Sequence, residues 1–457
     1  MSNVFGRKSR QVMPVAVAGD GIYVIDNTGK RYLDACGGAA VSSLGHSNSV
    51  ITDAVTQQLA QLAWAHTGFF TTEPAEQLAQ WLAERSPADL NHVYLVSGGS
   101  EAVEAALKLT RQYWIERDQP QRTEIVSRRQ SYHGNTLGAL SAGGNQWRRQ
   151  PFEPMLTNNV HLIDPCYFYR GANPGEGEFE FGQRIANQLE HKISELGNDR
   201  VAAFIAEPVV GATLGAVTAV AGYFTRIREI CDRYGVLLIF DEVMCGMGRT
   251  GSLFACEQEQ VTPDIICIAK ALGAGFQPIG AMLCRSAIFD AIADGSGFFQ
   301  HGHTYLAHPT ACAAALAVQK EVESRDLLAN VREQGSALLA QLNSALAYHP
   351  NVGDVRGRGL FIGVELVENK ISRSPLDPAL KTHAMIKSTA MDNGLMVYPM
   401  GGTLDGRSGD HILLAPPYIV NAVQVREIVD RLVRTIETVL PFKTIDAASS
   451  ATKAGVA

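Results

Sequence analysis

The 457-residue chain has no Cys-x-x-Cys pair, no His-Glu-x-x-His and no Gly-x-x-x-x-Gly-Lys-Ser/Thr loop. Its eight cysteines (Cys36, Cys166, Cys231, Cys245, Cys256, Cys267, Cys284 and Cys312) are scattered, several inside apolar runs, as buried reduced thiols are. A zinc module or a disulfide framework therefore does not organise the fold. The missing His-Glu-x-x-His argues against a zinc hydrolase, and the missing Gly-x-Ser-x-Gly against a nucleophile-elbow hydrolase. Basic charge is not in excess either. The 39 Lys plus Arg face 46 Asp plus Glu, a net charge of −7, whereas a nucleic-acid or membrane-surface binder needs a basic face. No signal-peptide core follows Arg7, Lys8 and Arg10. The uncharged stretch 208–225 carries Pro208, Gly211, Gly215 and Gly222 in place of the dense Leu and Ile of a spanning helix, so it reads as a strand end followed by a loop. A soluble, cytoplasmic protein is expected.

What the chain does have is enough apolar material for a large core: 46% apolar and only 19% charged residues. At about 150 residues per domain, its length suggests two or three domains, or one large α/β unit with an appendage. Two short strands are expected over 21–35, joined by the turn Asp26-Asn27-Thr28-Gly29. Residues 49–62 and 73–85 have helical apolar spacing. Thereafter apolar runs at 93–96, 201–206, 236–240 and 265–269 alternate with amphipathic segments. Continuous apolar strands between helices imply an α/β fold with a mostly parallel sheet covered on both faces. Residues 167–182, aromatic and Gly-rich, read as a surface excursion. From 327, long helices with strands at 360–366, 395–398 and 411–415 suggest a smaller α+β domain, and the chain ends in a frayed tail.

In open parallel sheets, ligands bind beyond the carboxyl ends of the strands, so the residues following each buried strand carry the chemistry. After Val93–Val96 comes Ser97-Gly98-Gly99-Ser100-Glu101, opening a helix. Such a turn offers free N–H groups and a positive dipole end to a phosphate, though an ordinary Ser cap would read the same way. After Val236–Phe240 comes Asp241-Glu242. This acidic pair resembles an ATPase element, but the only Gly-Lys, Gly29-Lys30, is followed by Arg31, and the ATPase reading fails. A carboxylate at that strand end needs a cationic partner, and a protonated heterocyclic nitrogen would serve. After 265–269 comes Lys270 before a Gly-rich turn. Desolvation there would make it a Schiff-base nucleophile, while a solvated capping lysine is the other reading. His301, His303 and His308 form a ligand-like spacing without a committed zinc set, and no metal is expected. A phosphate cup, a carboxylate for a pyridinium nitrogen and a lysine for an aldehyde together match the protein's contributions to pyridoxal 5'-phosphate chemistry.

With these motifs in hand, the sequence resembles the class III (omega) aminotransferases of pyridoxal-phosphate fold type I, from about residue 19 to 440. The resemblance rests on G-I-Y-V-I-D, Y-L-D-A and L-G-H near the start, S-G-G-S-E-A-V-E-A-A-L-K, Y-H-G, E-P-V-V-G, L-I-F-D-E-V, the Lys270 segment, H-T-Y, R-G-R-G-L and A-P-P-Y. It implies that Lys270 is the catalytic lysine that carries the cofactor, and that Asp241 pairs with the pyridinium nitrogen. Tyr132 and Val243 would pack against the two ring faces, and Gly99 and Ser100 would form the phosphate cup. His133 and Glu207 would lie near the cofactor, and Thr304 would reach the phosphate from the neighbouring subunit of a homodimer with shared sites, alone or paired into a tetramer. Asp34 and the rest of R-G-R-G-L read as structural. The domain division it implies is 1–60 as the N-terminal part of a small α+β domain built from both chain ends, 61–326 as the large cofactor-binding domain, 327–445 as the C-terminal part of the small domain, and 446–457 as a flexible tail.

Two departures bear on substrate. Relatives that use 2-oxoglutarate carry a second glutamate where this chain has Ala212, which leans towards pyruvate as acceptor. Arg407, in G-R-S-G-D-H-I-L-L-A-P-P, resembles the mobile arginine that takes a substrate carboxylate, although its spacing is shifted, and a surface-loop arginine is the other reading. Trp64 and Tyr23 fall where the family lines its pocket with aromatics, while core or interface packing would place them equally well. The expected activity is transfer of an amino group from an amine or omega-amino acid to a 2-oxo acid by a ping-pong mechanism. Decarboxylating transaminases, aminomutases and racemases share the same motifs, as do 2-oxoglutarate-dependent transaminases.

Overall fold

The computed structural model describes residues 3–8 and 10–442, so the tail expected at 446–457 lies outside the described residues. At its centre is a seven-stranded sheet in the order His92–Val96, Gly280–Cys284, Ile265–Ile268, Leu237–Asp241, Val201–Ala206, Glu124–Arg128, Val160–Ile163. Every pairing is parallel except those of Gly280–Cys284, which runs against both its neighbours. The strands Val201–Ala206, Leu237–Asp241 and Ile265–Ile268 are buried at every residue, which is why they read as unbroken apolar runs.

Alternate residues of one strand supply two cores. Leu238 and Phe240 face Phe181, Phe224 and Ile227 of the helices Glu178–Leu196 and Tyr223–Tyr234. Leu237 and Ile239 face Val103, Ala106 and Leu109 of the helix Gly99–Glu116. Phe240 and Phe224 meet edge to face at 4.9 Å between ring centres.

The two chain ends meet in one sheet. Ala16–Asp20, Tyr23–Asp26 and Arg31–Asp34 pair antiparallel, and Leu395–Met396 adds the fourth strand, parallel to Arg31–Asp34. The turn after Tyr23–Asp26 is closed by Asp26, whose carboxylate accepts from the backbone of Thr28 and Lys30. A second four-stranded antiparallel sheet runs Val352–Arg358, Phe361–Leu366, Asp410–Leu414, Tyr398–Gly401. The single strand expected over 395–398 is two strands, because the chain leaves one sheet at Met396 and enters the other at Tyr398.

Two other expectations are corrected. Residues 208–225 form a buried hairpin, Val209–Val210 with Val217–Thr218, and then the start of the helix Tyr223–Tyr234, in place of a strand end and loop. The segment 167–182 is not wholly superficial: Tyr167 and Phe181 are buried, and the helix Glu178–Leu196 begins inside it. All eight cysteines are buried and free. No helix among the described residues is long and apolar enough to cross a membrane.

His411 ties that hairpin to the second sheet. It is fully buried, with Nδ1 2.7 Å from the Thr403 hydroxyl and Nε2 3.0 Å from the Ala212 carbonyl. The carbonyl can only accept, so Nε2 carries the proton and Nδ1 accepts from Thr403. Burial, reinforced by the charge of Arg356, pushes the imidazole from its ordinary 6.5 down to about 4. Between those values the unfolded chain binds a proton that the folded chain refuses, so stability falls as pH drops through that window. Replacing His411 with Gln is expected to flatten the loss of urea midpoint between pH 6.5 and 4; parallel slopes in parent and variant would refute the linkage.

Candidate active site

The carboxyl ends of Leu237–Asp241 and Ile265–Ile268 lie side by side, with Asp241 in register with Cys267. The first of these strands delivers Asp241, and the second turns back at Lys270. Lys270 has φ +47, left-handed for a bulky side chain, and opens a short turn over Lys270–Leu272. That turn is clamped by the buried Gln319 of the helix Pro309–Ser324, whose Nε2 donates to the carbonyls of Ala271 and Leu272, both at 2.9 Å. Nothing in the sequence pattern marks Gln319, because its role depends on a long-range contact.

A cavity of about 370 Å³ opens at these strand ends. Among the residues lining it are Gly99, Ser100, Tyr132, His133, Glu207, Asp241, Val243 and Lys270. Val41, Met244, Gln277 and Ile279 also line it and were not anticipated. Gly99 begins the helix Gly99–Glu116, with Glu101 reaching back to the Ser97 N–H at 2.9 Å. A Cβ on Gly99 would stand 2.6 Å from Val243, so the turn must be glycine to keep this wall open. The Ser100 hydroxyl donates to Asn135 Oδ1 at 2.8 Å and accepts from the Asn135 N–H at 3.0 Å.

Asp241 is buried, with Oδ2 2.7 Å from His133 Nδ1 and Oδ1 accepting from the Val243 N–H at 3.0 Å. The Nε2 of His133 is buried with no hydrogen-bond partner among the described residues. The adjacent Glu242 turns away and accepts from the backbone of Ala255 and Cys256 at 2.6 and 2.8 Å, so only one member of the acidic pair faces the cavity. Glu207 accepts from the N–H groups of Tyr132 at 3.1 Å and Gly211 at 2.8 Å, and burial raises its pKa despite them. Burial lowers the pKa of the Lys270 amine, while the charges of Asp241 and Glu207 pull it back up and that of Arg148 lowers it. The amine makes no ion pair among the described residues.

The remaining sequence candidates are placed elsewhere in the chain. The Tyr23 hydroxyl donates to Glu427 at 2.8 Å, its ring packs under Arg31, and it does not line the cavity. This corrects the expected pocket contact within one chain, for the hydroxyl has its partner on the helix Ala422–Val439 instead. Trp64 is exposed and meets Tyr305 edge-on at 6.2 Å. Thr304 is exposed and does not line the cavity of its own chain. Arg407 is exposed on the loop after Tyr398–Gly401, with its backbone N–H held by Asp405 at 2.8 Å. His303 pairs with Glu101 at 3.0 Å, and no group of three or more metal-ligating side chains occurs among the described residues.

A half-buried lysine amine beside buried carboxylates, at the carboxyl edge of a mostly parallel sheet and next to a glycine turn, defines a fold type I site. The comparisons with known proteins agree. The family described as Aminotransferase class-III matches residues 4–436. An uncharacterized aminotransferase of Schizosaccharomyces pombe is 44% identical over 93% of this chain and 92% of its own. Putrescine–pyruvate aminotransferase of Pseudomonas aeruginosa is 33% identical over 90% of this chain and 87% of its own. Among solved structures, an (S)-enantioselective omega-transaminase from Thermomicrobium roseum superposes with a TM-score of 0.89 at 35% identity, covering 94% of each chain. The omega-transaminase of Pseudomonas jessenii in complex with PMP gives 0.88 at 32% identity over 93% of each. The chain belongs to the class III aminotransferases.

Lys270 is expected to react with a small acylating reagent at a lower pH than the other lysines of the cofactor-free protein. Asp241→Asn removes a charge that raises the amine's pKa, so its labelling midpoint should move lower still. Competitive labelling with peptide mapping reads both; a midpoint that stays put or rises in the variant contradicts the electrostatics described.

Proposed function

We propose that this aminotransferase holds pyridoxal 5'-phosphate in the cavity beside Lys270 and moves amino groups from amines or omega-amino acids to pyruvate in two half-reactions. The observation that carries the reading is the unpaired Lys270 amine, held in a left-handed turn next to Asp241. The donor set suits the cofactor. Gly99 and Ser100 would take the phosphate at a helix N-terminus, and Asp241, oriented by His133, would face the ring nitrogen. Tyr132 and Val243 would hold the ring between them. When bound, the cofactor supplies an aldehyde to receive the amino group and a protonated ring to draw electrons from the substrate carbon. Lys270 would then move the proton at that carbon, a task favoured by a pKa below the ordinary lysine range. Buried Glu207 would keep Tyr132 in place through its backbone N–H.

Support for pyruvate comes from position 212. The expected parking glutamate is alanine, buried, with its carbonyl taken by His411. An arginine that must step aside for a second substrate carboxylate has no carboxylate to pair with there. The Pseudomonas aeruginosa relative, a putrescine–pyruvate aminotransferase, points the same way.

The working unit in this reading is a homodimer, with Thr304 of each subunit completing the other's phosphate site. Trp64, Phe69 and Tyr305 are exposed and linked through ring contacts, Trp64 with Tyr305 and with His66, and His66 with Phe69, an apolar patch that suits a subunit contact. The eight buried free thiols suit a reducing, cytoplasmic setting.

The first test is the absorbance of the loaded protein with L-alanine and a panel of amines, no acceptor being present. A lysine-linked chromophore that bleaches with a donor and returns with pyruvate is expected, and Lys270→Ala should abolish turnover. A chromophore that never bleaches would favour a decarboxylase or isomerase instead. A second test mixes Lys270→Ala and Thr304→Ala chains. If Thr304 acts across the dimer, each hybrid regains one site with parental cofactor affinity; if it acts within its own chain, none does.

A further inference from the structure

Arg148 and Arg149 are neighbours in the short helix Gln146–Arg149, yet their side chains have different surroundings. Arg149 is buried, and its Nη1 donates to the carbonyls of Ser141 at 2.6 Å and Gly143 at 2.8 Å, while Nη2 reaches Glu153 at 3.5 Å. Its donors hold the 140–143 turn. Arg148 has no acidic or carbonyl partner among the described residues, and its Nε is buried without any hydrogen bond. The guanidinium carbon lies 4.5 Å from the ring centre of Tyr132, which lines the cavity. Its charge is also near enough to Lys270 to help hold that amine's pKa down.

A half-buried guanidinium without an anion is costly, and its five donors in a fixed fork match a carboxylate. The described residues supply no such group. The arginine is nonetheless held in place. Asn145 Oδ1 accepts from the Arg148 N–H at 3.2 Å, Asn145 Nδ2 donates to Gln130 at 2.8 Å, and Gln130 Nε2 donates to the Gly402 carbonyl at 3.1 Å. The Tyr132 ring lies against the guanidinium in a cation–π contact that restrains it. Arg407, by contrast, is exposed on the outer part of that same loop.

We propose that Arg148 is the residue that binds the substrate carboxylate, both of the 2-oxo acid acceptor and of amino-acid donors, and so sets the preference for acids over neutral carbonyl compounds. This rests on the aminotransferase reading above, and the test separates the two. Parental enzyme is first assayed with a neutral pair, 1-phenylethylamine and benzaldehyde, and with 1-phenylethylamine and pyruvate. No turnover with either, together with no bleaching by L-alanine or any amine of the panel above, would defeat the aminotransferase reading itself.

Given turnover, Arg148→Gln should lower kcat/KM for pyruvate by about 100-fold, the range of a lost charge-assisted bidentate contact, and the loss with the neutral pair, which reports the effect of its charge on Lys270, should be at least about tenfold smaller. Arg148→Lys, which keeps the charge without the fork, should recover part of the loss. A readout independent of turnover is the fluorescence of Trp147, whose ring centre lies 5.8 Å from the same guanidinium. Propionate should saturate the change in the parental holoenzyme, fail to do so in Arg148→Gln, and be ineffective as propionamide in both. Equal losses with acidic and neutral substrates, or unchanged propionate affinity, would overturn the assignment, as would a carboxylate-specific loss seen in Arg407→Ala and not in Arg148→Gln. Should Arg148→Gln be insoluble, Arg148→Lys decides alone: about tenfold weaker propionate binding is expected, and unchanged binding overturns the proposal.

Discussion

Holding two carboxylates out of water beside a half-buried lysine, at the edge of a sheet whose central strands are fully buried, is the constraint on which the rest of the structure depends. Asp241 and Glu207 are each only 4% exposed, and the Lys270 amine lies with them without forming an ion pair. Charges in such a place are stable only when each is met by fixed dipoles or by a neighbour. Asp241 is met by His133 and the Val243 N–H, and Glu207 by two backbone N–H groups. These donors come from turns on three separate segments, so the register of the central strands, the 209–218 hairpin and the 132–134 turn must form together. The amine is left to be balanced by charges at a distance. That balance keeps it reactive, since a direct salt bridge would hold it protonated.

The same burial made much of this legible in the sequence. Strands covered on both faces admit few polar residues, so a charge directly after such a run, as at Asp241 and Lys270, stands out. The helices Ser49–Gln61 and Glu73–Arg85 were legible from spacing alone. Strands lying half in solvent were not. Val352–Arg358 is half-buried over most of its length and mixes Gly, Asp and Arg with Val, while Ala16–Asp20 is largely exposed and made of small residues. Neither has the continuous apolar character that marks the central sheet.

Within the site, the limit lies where two identical or similar residues stand side by side. Asp241 and Glu242 differ in role because a strand sends successive side chains to opposite faces, one to the cavity and one to the backbone of Ala255 and Cys256. Arg148 and Arg149 differ because only one of them reaches the open carbonyls of the 140–143 turn. Glu104 is a third case: it holds the Thr136 hydroxyl at 2.7 Å and the Ala139 N–H at 3.0 Å, bracing the turn after Tyr132 from a helix face that reads as ordinary surface. The partners of Glu104 lie 32 and 35 residues away and those of Glu242 13 and 14, while those of Arg149 lie only 6 and 8 residues back but in a turn of no regular period, so no repeating local pattern names them.

The division of labour follows from these mechanics. Groups suited to the chemistry stand on strand ends and helix starts whose positions are fixed by core packing. Groups suited to choosing the substrate stand on the Gln146–Arg149 helix and on the 402–409 loop. The loop owes its shape to Gly402, Gly406 and Gly409, at φ +78, +85 and +89, and a Cβ on Gly406 would come within 2.9 Å of the Trp147 nitrogen. The loop therefore takes its position from the helix that carries Arg148. A change of substrate acid could be reached by altering that helix and loop together without disturbing Asp241 or Lys270, because no hydrogen bond of the loop reaches either of those residues among the described contacts.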